Sequence, residues 1–286
     1  MNLHDFNSRR LEIETPSGKI SYLDVGEGRP ALFVHGAGTS SYLWRNVIDQ
    51  LAGERRCVAL DLPLHGGSKA RTDQDFSLPA LARLLEEFCG SLDLNQIDLV
   101  ANDSGGAIAQ VFAAHYAQRL ATLTLTNCDT HDNLPPDGFR PTVNLAAKGA
   151  LATVGAQSLT HLDLARSGTL GRGYESPDRL SDETIRAYLE PVFGNLQSAR
   201  QFERFLTSLL SSDLVAVEPL LRKLTVPTLV VWGTADVFFE LKWAYWLRDT
   251  IPGVTDVVEL AGAKLFFPDE RADDLVSALR AHWAGN

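Results

Sequence analysis

Short apolar runs and stretches of helical spacing take turns along most of this chain. Leu11 to Thr15 and Lys19 to Val25 flank Pro16-Ser17-Gly18, which predicts a hairpin. ALFVHG, Ala31 to Gly36, is an apolar run suited to a strand covered on both faces. In Ser41 to Leu51 the apolar Leu43, Val47 and Leu51 stand four apart, the spacing of one helix face. The alternation continues: a strand over Arg56 to Leu62, a helix over Leu78 to Leu92, a strand over Ile97 to Asp103, a helix over Ala107 to Ala117, a strand over Leu120 to Cys128. After Leu134-Pro135-Pro136 it stops. From there to Lys223 the pattern is helical. One helix runs over Ser181 to Phe193, with Ser181 or Asp182 as its cap and Pro191 near its end, and another over Gln201 to Leu210. Buried-strand character returns at Val226 to Gly233. A helix near Lys242 to Arg248, a strand over Thr255 to Gly262 and a last helix over Ala272 to His282 follow.

Strands alternating with helices predict an α/β fold with a mostly parallel sheet covered on both faces. Ligands in such sheets bind beyond the carboxyl ends of the strands. The residues to weigh are therefore His35 to Gly38, Asp103 and Ser104, Cys128 to His131, Asp236, and Lys264 with Leu265. The expected division is a core of residues 1–132 and 224–286 and a helical cap of 133–223 over that edge.

Composition narrows the class. The 286 residues are 45% hydrophobic and 22% charged, as in an ordinary globular protein. Lys plus Arg is 26 and Asp plus Glu is 36, a net charge of −10. That balance argues against nucleic acid and anionic membranes as partners. Cys57, Cys89 and Cys128 lie in apolar contexts, so buried thiols in a reducing compartment are expected. No run reaches the ~20 apolar residues of a membrane helix, and the N-terminal stretch lacks a secretion-signal pattern. The expectation is a cytoplasmic protein, monomer or homodimer, with a small hydrophobic substrate as its partner.

The strand-to-helix junction Ala101-Asn102-Asp103-Ser104-Gly105-Gly106 carries the strongest chemical signal. A nucleophile elbow needs small residues two before and two after the reactive one, because the strained turn crowds them. Centred on Asp103 the flanks are Ala101 and Gly105, both small; centred on Ser104 they are Asn102 and Gly106. The Asp103 frame fits better. A plain helix N-cap would use the same residue types.

These residues resemble the haloalkane dehalogenase and epoxide hydrolase branch of the α/β-hydrolase superfamily. HGAGTSSYLWRNVIDQL, DLPLHGGS, the Asp-centred elbow, the Asp of VVWGTAD and FFPDER match its patterns in order and spacing, and AYLEPVF matches in the cap. The resemblance implies an α/β-hydrolase fold and Asp103 as a nucleophile that forms an ester with carbon. It places the oxyanion hole at the backbone N–H groups of Ala37 and Ser104, and the acid at Asp236. His35, Trp44, Tyr174, Phe238, Phe239 and Leu265 are the candidate substrate contacts. Tyrosines of the cap protonate the opening oxygen in the branch's epoxide hydrolases, and Tyr174 and Tyr188 are the cap's tyrosines here. His65 is expected to be structural.

Three positions depart from the pattern. Dehalogenases hold the leaving halide with an Asn after His-Gly and a Trp after the nucleophile; here those places hold Ala37 and Ser104. The branch's catalytic His, counted back from Glu270-Arg271, falls on Leu265. A leucine neither gives nor takes a proton. Lys264, or His131 paired with Asp129, are the candidates to replace it. Hydrolysis of an epoxide or related electrophile comes first by resemblance. Isomerisation, elimination, cyclisation or decarboxylation with Asp103 as acid or base stays open, as does a ligand-binding pseudoenzyme. No dinucleotide glycine motif and no Cys/His spacing for a metal is present, so no cofactor and no metal are expected.

Overall fold

A computed structural model describes residues 1–286. Its eight strands form a single sheet in the order β1-β2-β4-β3-β5-β6-β7-β8. They are β1 (Arg10–Thr15), β2 (Gly18–Val25), β3 (Pro30–Val34), β4 (Arg56–Leu60), β5 (Ile97–Asp103), β6 (Leu120–Cys128), β7 (Thr228–Gly233) and β8 (Val254–Leu260). Only β2 runs antiparallel to its neighbours; β4 through β8 pair in parallel. The central strands β3, β5, β6 and β7 are buried almost throughout, whereas the edge strands β1 and β8 are half-exposed. That is why the inner strands read as unbroken apolar runs and the edges do not.

The helices are α1 (Leu3–Ser8), α2 (Arg45–Leu51), α3 (Leu78–Ser91), α4 (Ser104–Tyr116), α5 (Arg140–Ala147), α6 (Leu151–Thr160) and α7 (Leu162–Ser167). They continue with α8 (Thr169–Arg172), α9 (Asp182–Phe193), α10 (Leu196–Ser208), α11 (Ser211–Leu221), α12 (Lys242–Thr250), α13 (Phe267–Glu270) and α14 (Ala272–Ala284). Their starts follow capping chemistry. Ser77 accepts the Ala80 N–H at α3, and Pro79 sits in that first turn, where no donor is lost. Ser181 accepts the Thr184 N–H at α9, so Ser181 rather than Asp182 is the cap. Asn195 caps α10, which starts five residues before the apolar spacing begins to read as helix at Gln201.

Helix α1 was not legible in the pattern because it carries a single buried residue, Phe6, set edge-on to Tyr42 at 5.2 Å. The segment expected as a cap holds α5 to α11. Helix α11, however, packs on α4 of the core, so the elements that roof the sheet edge are α5 to α10. All three cysteines are free and buried, and burial pushes the Cys57 and Cys89 thiols up to about 12. No helix is long and apolar enough to cross a membrane.

Candidate active site

Strand β5 ends and α4 begins within one residue. Asp103, at that junction, has φ 58° and ψ −136°, a conformation that side-chain-bearing residues rarely adopt. The turn is held because its neighbours leave no other course. A Cβ on Gly36 would lie 2.4 Å from both Cβ and Oδ2 of Asp103, so the loop after β3 closes against the carboxylate only without a side chain. Ala37 follows, and its N–H donates to Ser104 Oγ at 2.9 Å. Gly38 N–H donates to Nε2 of His65 at 3.2 Å, which fixes the rest of that loop.

Above this turn lies a cavity of about 470 Å³. Its floor is Ala37, Gly38, Asp103, Ser104 and Asp129, and its walls and roof are mostly apolar side chains from α5 to α10 and the loops after β7 and β8. Such an apolar enclosure with a few polar groups at one end is the usual form of a small-molecule site. Val154 of α6 and Leu164 of α7 line it, yet are 42% and 48% exposed, so the mouth opens between those two helices. No Lys, Arg or His lines the cavity; Asp103 and Asp129 are the ionisable groups on its wall.

The carboxylates are perturbed by their surroundings. Burial raises Asp103 to about 7, and the charge of Asp236 adds to this against the N–H groups of Ser104 and Ala37. Burial and then the Asp103 charge push Asp129 well above the carboxylate range. Asp129 is 2% exposed and its Oδ1 has no hydrogen-bond partner. Strands β5 and β6 pair with Asp103 beside Cys128, so Asp129 is delivered next to the elbow by one further step of the chain. Asp236 is off the cavity wall. Its Oδ2 accepts from Asn127 Nδ2 at 2.7 Å and its Oδ1 from the Phe238 N–H at 2.9 Å, and burial raises it to about 6. It reaches Asp103 through its field.

Several expected contacts lie elsewhere. His131 is not on the cavity wall: its Nδ1 is 3.2 Å from Asp132, its Nε2 is 3.0 Å from Glu218, and its ring packs on Trp246. A positive φ at His131 (52°) turns the chain away from the site, so it forms no pair with Asp129. Lys264 is also off the wall, while the adjacent Leu265, 4% exposed, lines it. Asn102 Nδ2 donates to the Leu265 carbonyl at 3.1 Å and to Thr126 Oγ1 at 2.9 Å, which pins the loop after β8 to β5. His35 is a scaffold residue rather than a substrate contact. Its Nδ1 donates to the Gly36 carbonyl, its Nε2 accepts the Leu62 N–H, and burial lowers it to about 4. Burial likewise lowers His65 to about 3, consistent with the structural role expected for it. Trp44 is fully buried in the core 5.4 Å from Phe33, and does not reach the cavity. Tyr174 is also off the wall, because its hydroxyl donates to Asp269 Oδ2 at 3.2 Å on the far side of the loop. Tyr188 is buried away from the cavity, near Tyr42. Phe238, Phe239, Ala37 and Ser104 do line it.

The sequence reading missed most of the roof. Phe202, Leu206 and Leu209 line the cavity from α10 and its end at helical spacing. That spacing marks a buried face but not whether the face meets core or cavity. Gln157 and Ser158 of α6 had no signal at all.

Comparison with known proteins agrees with this fold. The chain is 28% identical over 288 residues to haloalkane dehalogenase 2 of Mycobacterium tuberculosis, covering 97% of this chain and 95% of that protein. It is 26% identical over 288 residues to cis-3-alkyl-4-alkyloxetan-2-one decarboxylase of Shewanella oneidensis, covering 95% and 87%. The solved structure of the epoxide hydrolase CorEH superposes with a TM-score of 0.79 at 20% identity, covering 96% of this chain and 98% of that one. The model of the alpha/beta hydrolase fold family matches residues 30–270, and the chain belongs to that family.

Proposed function

We propose that the protein is a cofactor-free enzyme that hydrolyses an epoxide or a related small, uncharged, hydrophobic electrophile through attack by Asp103. The observation that carries this reading is the placement of Asp103 on a strained turn at the floor of an apolar cavity. A carboxylate so placed meets the substrate carbon without water between them. The absence of any Lys, Arg or His from the wall disfavours anionic substrates, which would face two carboxyl groups unpaired. The relatives' names point the same way: haloalkanes and alkyl-substituted oxetan-2-ones are uncharged electrophiles with alkyl bodies. Halide release is the weaker option, since Ala37 and Ser104 stand where the branch carries its halide-holding side chains.

A second reading has its own support. Leu265 occupies the wall where the resemblance places the hydrolytic base, and Asp103 is raised to about 7, the range of a good general acid or base. Asp103 would then move protons without forming an ester, in a non-hydrolytic reaction or a direct hydration.

One experiment separates these readings. Excess enzyme is mixed with styrene oxide in ¹⁸O-water for a single turnover, and the diol and the Asp103 peptide are both weighed. Ester chemistry puts ¹⁸O into Asp103 and none into the first diol formed. Label in the diol with none in Asp103 would replace the nucleophile reading by acid/base hydration. No diol and no adduct across a panel of epoxides, with Asp103→Asn indistinguishable from wild type, would leave a binding protein.

A further inference from the structure

We propose that Asp129 carries the proton in both halves of this reaction, as the acid that protonates the opening oxygen and then as the base that activates water. The proposal rests on the reading of Asp103 as nucleophile. Its own ground is geometric. Both of the branch's usual proton carriers are missing from the cavity. The wall holds Leu265 at the place of the base, and neither Tyr174 nor Tyr188 reaches it from the cap. Asp129 is the other ionisable group on the wall, delivered beside the elbow by the pairing of β5 with β6. Its Oδ1 is buried without a partner. An unpartnered carboxyl oxygen in an apolar site is costly when ionised, so the group is held with its proton.

The groups facing it settle which of the pair holds the proton. Asp129 is flanked by Cys128, whose thiol burial pushes far up and so keeps neutral, and faces Asp103 across the strands. The N–H groups of Ser104 and Ala37 lie beside Asp103 and favour its ionised form; none does so for Asp129. Two carboxyl groups in one site cannot both ionise readily, so the better-solvated one, Asp103, ionises first.

The steps balance with no added reagent. A carboxylate oxygen of Asp103 bonds to an epoxide carbon, the ring C–O bond breaks, and the freed oxygen takes the proton of Asp129. The products are a hydroxyalkyl ester on Asp103 and ionised Asp129. Asp129 then takes a proton from water while the water oxygen bonds to Cγ of Asp103. The oxyanion that forms lies beside the N–H groups of Ser104 and Ala37. Collapse breaks the bond from Cγ to the alkyl oxygen, which leaves with the remaining proton on Cγ's oxygen as the diol. Asp103 is again ionised and Asp129 again protonated.

The test is Asp129→Asn, an isosteric change, assayed with styrene oxide beside wild type. Diol formation should fall at least about 100-fold, the low end for loss of a general acid–base. Whatever adduct of one substrate mass does form on Asp103 should persist, its release slowed by a similar factor. Asp129→Asn combined with Leu265→His, which returns a base to the wall, should release that adduct. Diol formation by Asp129→Asn within a few fold of wild type would overturn the proposal. A variant that forms the adduct slowly yet releases it as fast as wild type, at unchanged unfolding temperature, would overturn its water-activating half and leave Asp129 as proton donor alone. A wild type that forms neither diol nor adduct would instead overturn the nucleophile reading beneath it.

Discussion

Replacing Asp103 by asparagine is expected to stabilise the fold at pH 8 and to lose that gain by pH 4. Burial raises the Asp103 carboxyl to about 7, with the Asp236 charge adding to it. In the unfolded chain the same group titrates near 4. Between those values the folded chain holds a proton that the unfolded chain has released. Stability therefore falls as pH rises through this window, and the full cost is present above about 7. Asparagine has the same shape and no charge to bury, so it escapes the cost. The shift of about three pH units sets a ceiling of about 4 kcal/mol. Asp129 and Asp236 share the same repulsion, so part of the relief reaches them too. At about 2–4 °C per kcal/mol for a chain of this size, a rise in unfolding temperature of about 5 °C at pH 8 is expected. Thermal unfolding of both proteins at pH 4, 6 and 8 checks it. A variant less stable than wild type at pH 8 would mean that the Ser104 and Ala37 N–H groups hold the ionised carboxylate better than water does. The expected outcome is an exchange of function for stability at one residue, since the same change removes the nucleophile of the proposed reaction.

How much of this was open to a reader of the sequence differs between the sheet and the roof. The inner strands were legible because burial on both faces leaves unbroken apolar runs, and the elbow because Ala101 and Gly105 are small at the two places a sharp turn demands. Asp129 was legible as a residue after a strand, but its partner was not. His131 stands two positions on and looks equally well placed, yet its positive φ carries it to Glu218 and Trp246. Sequence spacing within a loop fixes distance along the chain and says nothing of direction. The same limit explains Tyr174 and Trp44. Both are large side chains near the expected site, and both are spent on internal partners, Asp269 and Phe33. The cap was legible only as helical. Its cavity-facing residues share their spacing with core-facing ones, and α11 was grouped with it although it packs on α4.

A single added methyl group is expected to be severely damaging at Gly105, the second residue of α4. A Cβ there would lie 2.4 Å from the His35 carbonyl oxygen, 2.6 Å from that of Val34 and 2.9 Å from the His35 carbonyl carbon. These are backbone atoms at the end of β3, a strand paired on one side with β4 and on the other with β5. They cannot move aside as a flexible side chain would. The His35 ring tightens the constraint, because it bonds at once to the Gly36 carbonyl and the Leu62 N–H. Gly105→Ala must therefore either push α4 off the sheet or open the elbow. The destabilisation is expected at or above the upper end of the range for overpacking a filled core, about 3 kcal/mol. Gly36→Ala clashes at the elbow itself: its methyl would lie 2.4 Å from Cβ of Asp103, an atom the backbone fixes, so that variant should be destabilised too and lose activity. Gly53→Ala, with nothing within 4 Å of the new methyl, is the control and should unfold as wild type does. Urea unfolding of the three variants reads the difference directly. If Gly105→Ala unfolds within about 1 kcal/mol of wild type, below the range for overpacking, then α4 is not clamped to β3. The tight junction that sets the Asp103 backbone would then have some other origin.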